Sequence, residues 1–471
     1  MDNAFAELRN LLSSPSFSAW DELLELFEKL EGKDELQVLL SYALEHLEDW
    51  PVFYRTLPKI SMKELKSKST SWAPFQLVSS IDFSRKKLKR FPEVLTKFLN
   101  LRILRLDGNS LSELPAYISH FKNLEELSVS NNQLALLPPE IGQLSRLQKI
   151  HIENNPIIEL PVEIGLLQNL KYFSARWCQL ESLPSAIIEL KRLEKLWLCG
   201  NRLSELPANF EKLRSLEELR LQANQLHTLP AGFGKLQNLF LLDLSDNQLA
   251  ERLFEIEHLE NLHELSLSGN GLTGLFSGIG RLQNVYQLEL ERNELKEIPP
   301  EIGGMKCLQI LNLGKNSLSV LPPEFGELKK LTSLELSHNN IERLEQLFLN
   351  LGGLEKLFSL NLAYNSLKEI PLEISLLKKL KYLRLDNNLL ESLPLTLGEL
   401  LDLELLSLYE NNLVEIPPEV GLLPKLRQFD VRENRLTSLP STFAKAQKLE
   451  QLEMKGNQIT TLPVELSKFL C

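Results

Sequence analysis

One interval governs this chain. Leu101, Leu104, Leu106, Asn109, Leu111, Leu114 and Pro115 return 23 residues later as Leu124, Leu127, Val129, Asn132, Leu134, Leu137 and Pro138. Carried in both directions, the interval gives seventeen units from Val78 to Cys471, sixteen of 23 residues and one, starting at Leu331, of 26. Asn holds the ninth position in fifteen units, Lys86 and Cys178 being the exceptions. Pro holds the fifteenth in fourteen, the exceptions being Leu253, Phe276 and Glu345. With 111 leucines among 471 residues, nearly every unit can supply the same apolar set.

The period dictates what each position does. The LxL core alternates every two residues, which predicts a short strand with its leucines turned inward. Successive strands must then lie side by side in a parallel sheet at ~4.8 Å spacing. No unit can bury its leucines alone, so neighbours stack and share one continuous core. The ninth-position Asn has an amide suited to backbone groups left unpaired at the turn. Pro at fifteen opposes a long helix and favours an extended or tight-turn return. Stretches such as LPPEIG, residues 137–142, predict at most a short helical turn per unit.

The consensus LxxLxLxxNxLxxLPxxIxxLxx, read from Leu101 to Asn123, resembles the leucine-rich repeat proteins. Within them it is similar to the 23-residue LPxxI-type intracellular subclass, which includes plant intracellular Ras-group proteins, Scribble-like scaffolds and the repeat regions of bacterial Roco proteins. The resemblance covers residues 78–471 and implies an α/β solenoid, a horseshoe whose concave parallel sheet binds other proteins. It names no partner.

Residues 1–77 lie outside the repeat. Phe5, Leu8, Leu11 and Leu12, then Trp20 to Leu30, then Leu36 to Leu47 fall at helical spacing, the last run stopped at Trp50-Pro51. Ser61 with Glu64 has capping-box spacing for a fourth, short helix. A small N-terminal helical domain is therefore expected, either covering the open edge of the first repeat or serving as an adaptor module. Charge also changes here: residues 1–50 hold twelve acids and three bases, residues 51–100 three acids and eleven bases.

Composition excludes several classes. A hydrophobic content of 43% rules out a disordered chain. No run of eighteen apolar residues offers a membrane span, and MDNAFAELRN has neither the basic nor the apolar part of a secretory signal. Four scattered cysteines fit a reducing, cytoplasmic setting. A net charge of −11 opposes a nucleic-acid partner for the whole chain.

Motifs of catalysis are missing. There is no GxxxxGK[ST] loop, no GxGxxG and no HExxH, and the seven histidines lack metal-ligand spacing. Cys471 as a nucleophile would have no positioned base. No catalytic residue, cofactor or metal is expected. A ligase-effector enzyme remains a rival class. So does an anion or membrane-surface binder acting through Arg85, Lys86, Lys87, Lys89 and Arg90, which otherwise form a solvated cap.

A protein-binding scaffold is the leading expectation, and its site is read from the outward positions of the strands. The repeat region has only two tryptophans, Trp177 and Trp197, and the register sets His151, Tyr172, Arg176, Arg220 and Phe240 around them. Trp, Tyr and Arg dominate binding hot spots. The alternative is that Trp197 only stacks on Arg220 as an internal cation–π pair. Tyr382, Arg384, Tyr409 and Arg432 make a second, weaker cluster. Phe254, Phe276 and Phe348 offer a convex docking point where units lack Pro, unless those units merely replace the proline-type return with a helical turn. A monomer is expected, with pairing of two chains at the C-terminal end as the alternative.

Overall fold

The structure is a computed structural model that describes residues 79–460, 462 and 466, apart from 93–94, 97, 251–252 and 343–350. The helical domain expected over residues 1–77 lies outside the described residues, as does Phe348.

Two compact units are present. The first runs to Gln225 and takes in Pro230–Gly232; the second takes Leu226–Leu229 and the chain from Phe233 onward. The first holds strands β1 (Ser80–Asp82), β2 (Ile103–Arg105), β3 (Glu126–Ser128), β4 (Lys149–His151), β5 (Tyr172–Ser174), β6 (Lys195–Trp197) and β7 (Glu218–Arg220). In the second lie β8 (Leu241–Asp243), β9 (Glu264–Ser266), β10 (Gln287–Glu289), β11 (Ile310–Asn312) and β12 (Ser333–Glu335). They are followed by β13 (Ser359–Asn361), β14 (Tyr382–Arg384), β15 (Leu405–Ser407), β16 (Gln428–Asp430) and β17 (Gln451–Glu453).

Within each unit the strands pair in parallel, and the register repeats the sequence interval. Leu104 faces Leu127, Leu196 faces Leu219 and Leu383 faces Leu406. Across the 26-residue unit Leu334 faces Leu360, so the three extra residues are taken up off the sheet. Strand centres are buried, while the flanking third and fifth positions turn outward, which leaves one face of each run of strands free for recognition. Behind the sheet, positions one, four, six, eleven, fourteen, eighteen and twenty-one close the core, as Leu101, Leu104, Leu106, Leu111, Leu114, Ile118 and Phe121 do. Each such side chain contributes ~1.5–3 kcal/mol when fully buried, and only through its neighbours.

The asparagine ladder works as its chemistry requires. The Oδ1 of Asn155 accepts the Leu134 N–H at 3.0 Å, while its amide donates to the carbonyls of Val129 and Ile152 at 3.0 and 2.9 Å. One side chain thus ties two repeats together.

The return path corrects one expectation. Loss of Pro at Leu253 and Phe276 was expected to replace the proline-type return with a helical turn. The helical turn is present, as a short 3-10 turn over Phe254–His258 and Ser277–Arg281, but it replaces nothing, since a Pro unit has the same turn over Val162–Leu166. Phe276 takes φ −68° and ψ 142°, close to Pro161 at −66° and 147°. The reason lies in the bonding: the turn closes from the eighteenth N–H to the fifteenth carbonyl, as from Ile279 to Phe276, so the nitrogen Pro lacks is not used. Pro favours this turn without being needed for it.

Candidate protein-binding face

The strand geometry brings most of the expected residues together. His151, Ser174, Trp197 and Arg220 sit at the same outward fifth position of β4, β5, β6 and β7. Tyr172 opens β5 at position three, and Arg176 follows it at seven. Neighbouring strands put these side chains within contact range, and only Arg176 comes from the turn that follows its strand.

Trp197 is the centre of the cluster. Its ring meets Tyr172 edge-on at 4.9 Å between centroids, and Tyr172 in turn tilts onto His151 at 4.7 Å. Both arginines flank it: the Arg176 guanidinium carbon lies 5.0 Å from the ring centroid and that of Arg220 5.4 Å. The stack with Arg220 expected from the sequence is therefore present, and Arg176 adds a second cation. Burial pushes the Tyr172 hydroxyl up to about 12, so it stays neutral on this face.

Trp177 has a different place. At the eighth position, in the left-handed region at φ 55°, it stands 59% exposed on the rim against Gly200. Phe240 belongs to the second unit, at position two just ahead of β8, where its carbonyl accepts the N–H groups of His263 and Glu264. It starts a row of position-two rings with His263 and Tyr286, which lie 6.4 Å apart edge to face.

Sequence reasoning missed the acidic side of this face. Glu153 is buried, accepts from the Ser130 hydroxyl and lies 3.5 Å from both His151 and Arg176. Burial alone would push its carboxyl up; the bonds from His151 and Ser130 outweigh that and hold it at about 2. Glu218 is likewise buried and bonded to Lys195. The signal was available, because Glu153 holds position seven, two residues beyond His151 and level with Arg176 one repeat on.

The second cluster is already satisfied internally. Arg432 lies 5.1 Å from the Tyr409 ring but also grips Asp430 through Nε at 3.0 Å and Nη2 at 2.5 Å. Tyr382 packs edge-on against Phe358 at 6.3 Å beside an open groove of about 510 Å³ that Lys379, Lys381 and Asp402 also line. In the basic segment, Arg85 and Lys87 occupy left-handed turns, and the Lys86 N–H bonds Asn109. Among the described residues no group of three His, Cys, Asp or Glu could hold a metal, and no helix is long and apolar enough to cross a membrane.

A stacked parallel-strand array joined by asparagine ladders is the architecture of a repeat solenoid, and this chain belongs to the leucine-rich repeat family. The family is matched over residues 99–157, 191–249, 260–318, 283–341, 306–358 and 397–459. Among solved structures, a leucine-rich repeat protein of Leptospira interrogans is 35% identical over 81% of this chain and 97% of its own, with a TM-score of 0.75. The plant peptide hormone receptor RGFR1, solved in complex with RGF2, is 26% identical over 81% of this chain and 71% of its own, at 0.60. The functional domain of InlJ from Listeria monocytogenes, 18% identical over 78% and 75%, shares the fold at a TM-score of 0.63. No curated protein matches the chain.

Proposed function

We propose that this chain is a protein-binding scaffold or adaptor without catalysis of its own, and that it holds its partner on the outward face of β4–β7. The observation that carries this reading is Trp197, kept on a strand face between Arg176 and Arg220 when the other fifth positions around it are small or polar. Large aromatic and arginine side chains fixed by their neighbours lose little entropy on binding, which is the physical basis of a hot spot. The likeness to a receptor solved with a bound peptide hormone supports the same use of the fold. The LPxxI consensus supports the intracellular subclass, and with it a cytoplasmic role in signal transduction, while charge at Glu450, Glu453 and Lys455 along the last strand supports a monomer.

The deciding experiment compares two double variants by affinity capture, each with unchanged melting. Trp197→Ala with Arg176→Ala should lose the partners that the native chain captures. Tyr409→Ala with Arg432→Ala should keep them. The opposite outcome would move the site to β14–β16.

A further inference from the structure

On the β4–β7 face, acids and bases are not equally reachable. The Glu153 and Glu218 side chains are 8% and 11% exposed, and each is already engaged, Glu153 by Ser130, His151 and Arg176 and Glu218 by Lys195. The bases stand out: Arg176 and Lys195, which pair with them, are 42% and 38% exposed, and Lys149, set 4.0 Å from Glu126, is 56% exposed. This face holds four bases, Lys149, Arg176, Lys195 and Arg220, against the two buried acids, so what a partner meets is positive. That is a local exception on a chain of net charge −11.

Arg220 adds a second, independent observation. Among the described residues it has no carboxylate partner, and its guanidinium carbon lies 5.4 Å from the Trp197 ring centroid. Its Nε and the Trp197 Nε1 are both closed off from water with no acceptor in reach. Buried donors left unmatched cost ~1–3 kcal/mol each, and buried polar groups are otherwise almost always satisfied. Those two nitrogens lie beneath the surface, whereas the Arg220 Nη groups are neither buried nor bonded and are what an acceptor on this face would meet. A guanidinium fork suits a carboxylate in particular, because two parallel N–H groups meet its two oxygens.

We infer that this face takes an acidic protein segment lying across β4–β7, which sets carboxylates on Arg220 and Arg176 and an apolar side chain against Trp197. The inference rests on the binding function proposed above and specifies the partner's chemistry. Discrete carboxylates fit better than a continuous phosphate backbone, because the apolar Trp197 ring stands with Arg176 and Arg220 in this row and breaks it into separate cations.

The test uses the full chain and short fluorescent peptides of equal length, each with one central leucine and with Glu, Gln or Lys at alternate positions. A single-stranded oligothymidine serves as the phosphate probe. Fluorescence anisotropy at low salt should show the Glu peptide binding at least about tenfold more tightly than the Gln or Lys peptide, with the advantage shrinking as salt rises. Arg220→Gln should remove about tenfold of that affinity, Arg220→Lys should restore part of it, and Lys330→Gln, at an exposed residue of the second unit, should change nothing. Each variant is first matched to the native chain in melting. If Gln and Glu peptides bind equally and Trp197→Ala weakens both, the face binds but its acidic preference is refuted. Oligothymidine binding as tightly as the Glu peptide, or no saturable Glu-peptide binding at low salt, also overturns the inference. The capture experiment above judges the face by itself in either case.

Discussion

The ring of Trp177 lies so close over Gly200 that a Cβ built on that glycine would come within 2.2 Å of the ring's Cε3. Both residues hold the eighth position of adjacent repeats, and both are left-handed, at φ 55° and 70°. Gly200 therefore does two things: it turns the backbone cheaply, and it leaves room for the indole. Gly200→Ala should cost about 2 kcal/mol, part from the left-handed backbone and part from the displaced ring. Denaturation midpoints give the stability change, and tryptophan emission reports the ring. Unchanged emission with unchanged stability would mean that the indole does not rest on Gly200.

Cys178 stands where the ladder needs an asparagine. Its thiol lies 3.3 Å from the Ile152 carbonyl, so one of the usual amide bonds is imitated weakly. No oxygen is there to accept the Ile157 N–H, the counterpart of the Leu180 N–H that Asn201 accepts at 3.0 Å. Burial also pushes the thiol up to about 11, which keeps it protonated and unreactive. Cys178→Asn should stabilise the first unit by about 1 kcal/mol for each hydrogen bond restored. Slower amide exchange at Ile157 would locate the gain, whereas a lower denaturation midpoint would show that the cavity does not admit the amide.

Most of the fold was legible because it is written many times. A strand of three residues is a weak signal alone, but Leu104, Leu127 and Ile150 at one interval fix both the strands and their register. The cluster around Trp197 was legible for the same reason, since position five of one repeat must neighbour position five of the next. Two things escaped. Leu253 and Phe276 looked like breaks because the missing Pro was seen, while the carbonyl that closes the turn is common to every residue type. Glu153 and Glu218 were passed over because an acid at an outward position reads as solvated; the repeat placed Glu153 beside His151 and Arg176, but the burial of both acids shows only in the packing.

Glu153 and Asp386 share the seventh position of their repeats yet titrate in opposite senses. Hydrogen bonds from His151 and Ser130 overcome burial at Glu153 and lower it from an ordinary 4.5 to about 2. Burial dominates at Asp386 and raises it above 3.8, with the nearby Asp430 charge adding to the rise despite bonds from Ser407 and the Tyr409 N–H. A lowered carboxyl gives stability that is present above its unfolded value and lost as pH falls through the folded one; a raised carboxyl does the reverse. The deficit of Glu153→Gln should thus be largest near neutrality and close between pH 4.5 and about 2. Asp386→Asn should become less costly as pH rises past the ordinary carboxyl range. Urea midpoints across a pH series measure both, and parallel curves for the two variants would contradict the assignment.

The contact between Trp197 and Arg220 can serve the fold, a partner, or both, and its energy separates these roles. A partly exposed cation–π pair is worth ~0.5–1 kcal/mol, too little to justify keeping a tryptophan on an outward strand position for stability alone. A double-mutant cycle with Trp197→Leu and Arg220→Gln should therefore give a coupling of ~0.5–1 kcal/mol in unfolding. The single Arg220→Gln change should cost almost nothing, because it removes a guanidinium whose buried Nε has no acceptor. If instead the coupling exceeds ~2 kcal/mol, beyond what such a pair supplies, the stack is holding β6 against β7. Loss of binding in Trp197 variants would then report a loosened strand face in place of a missing contact.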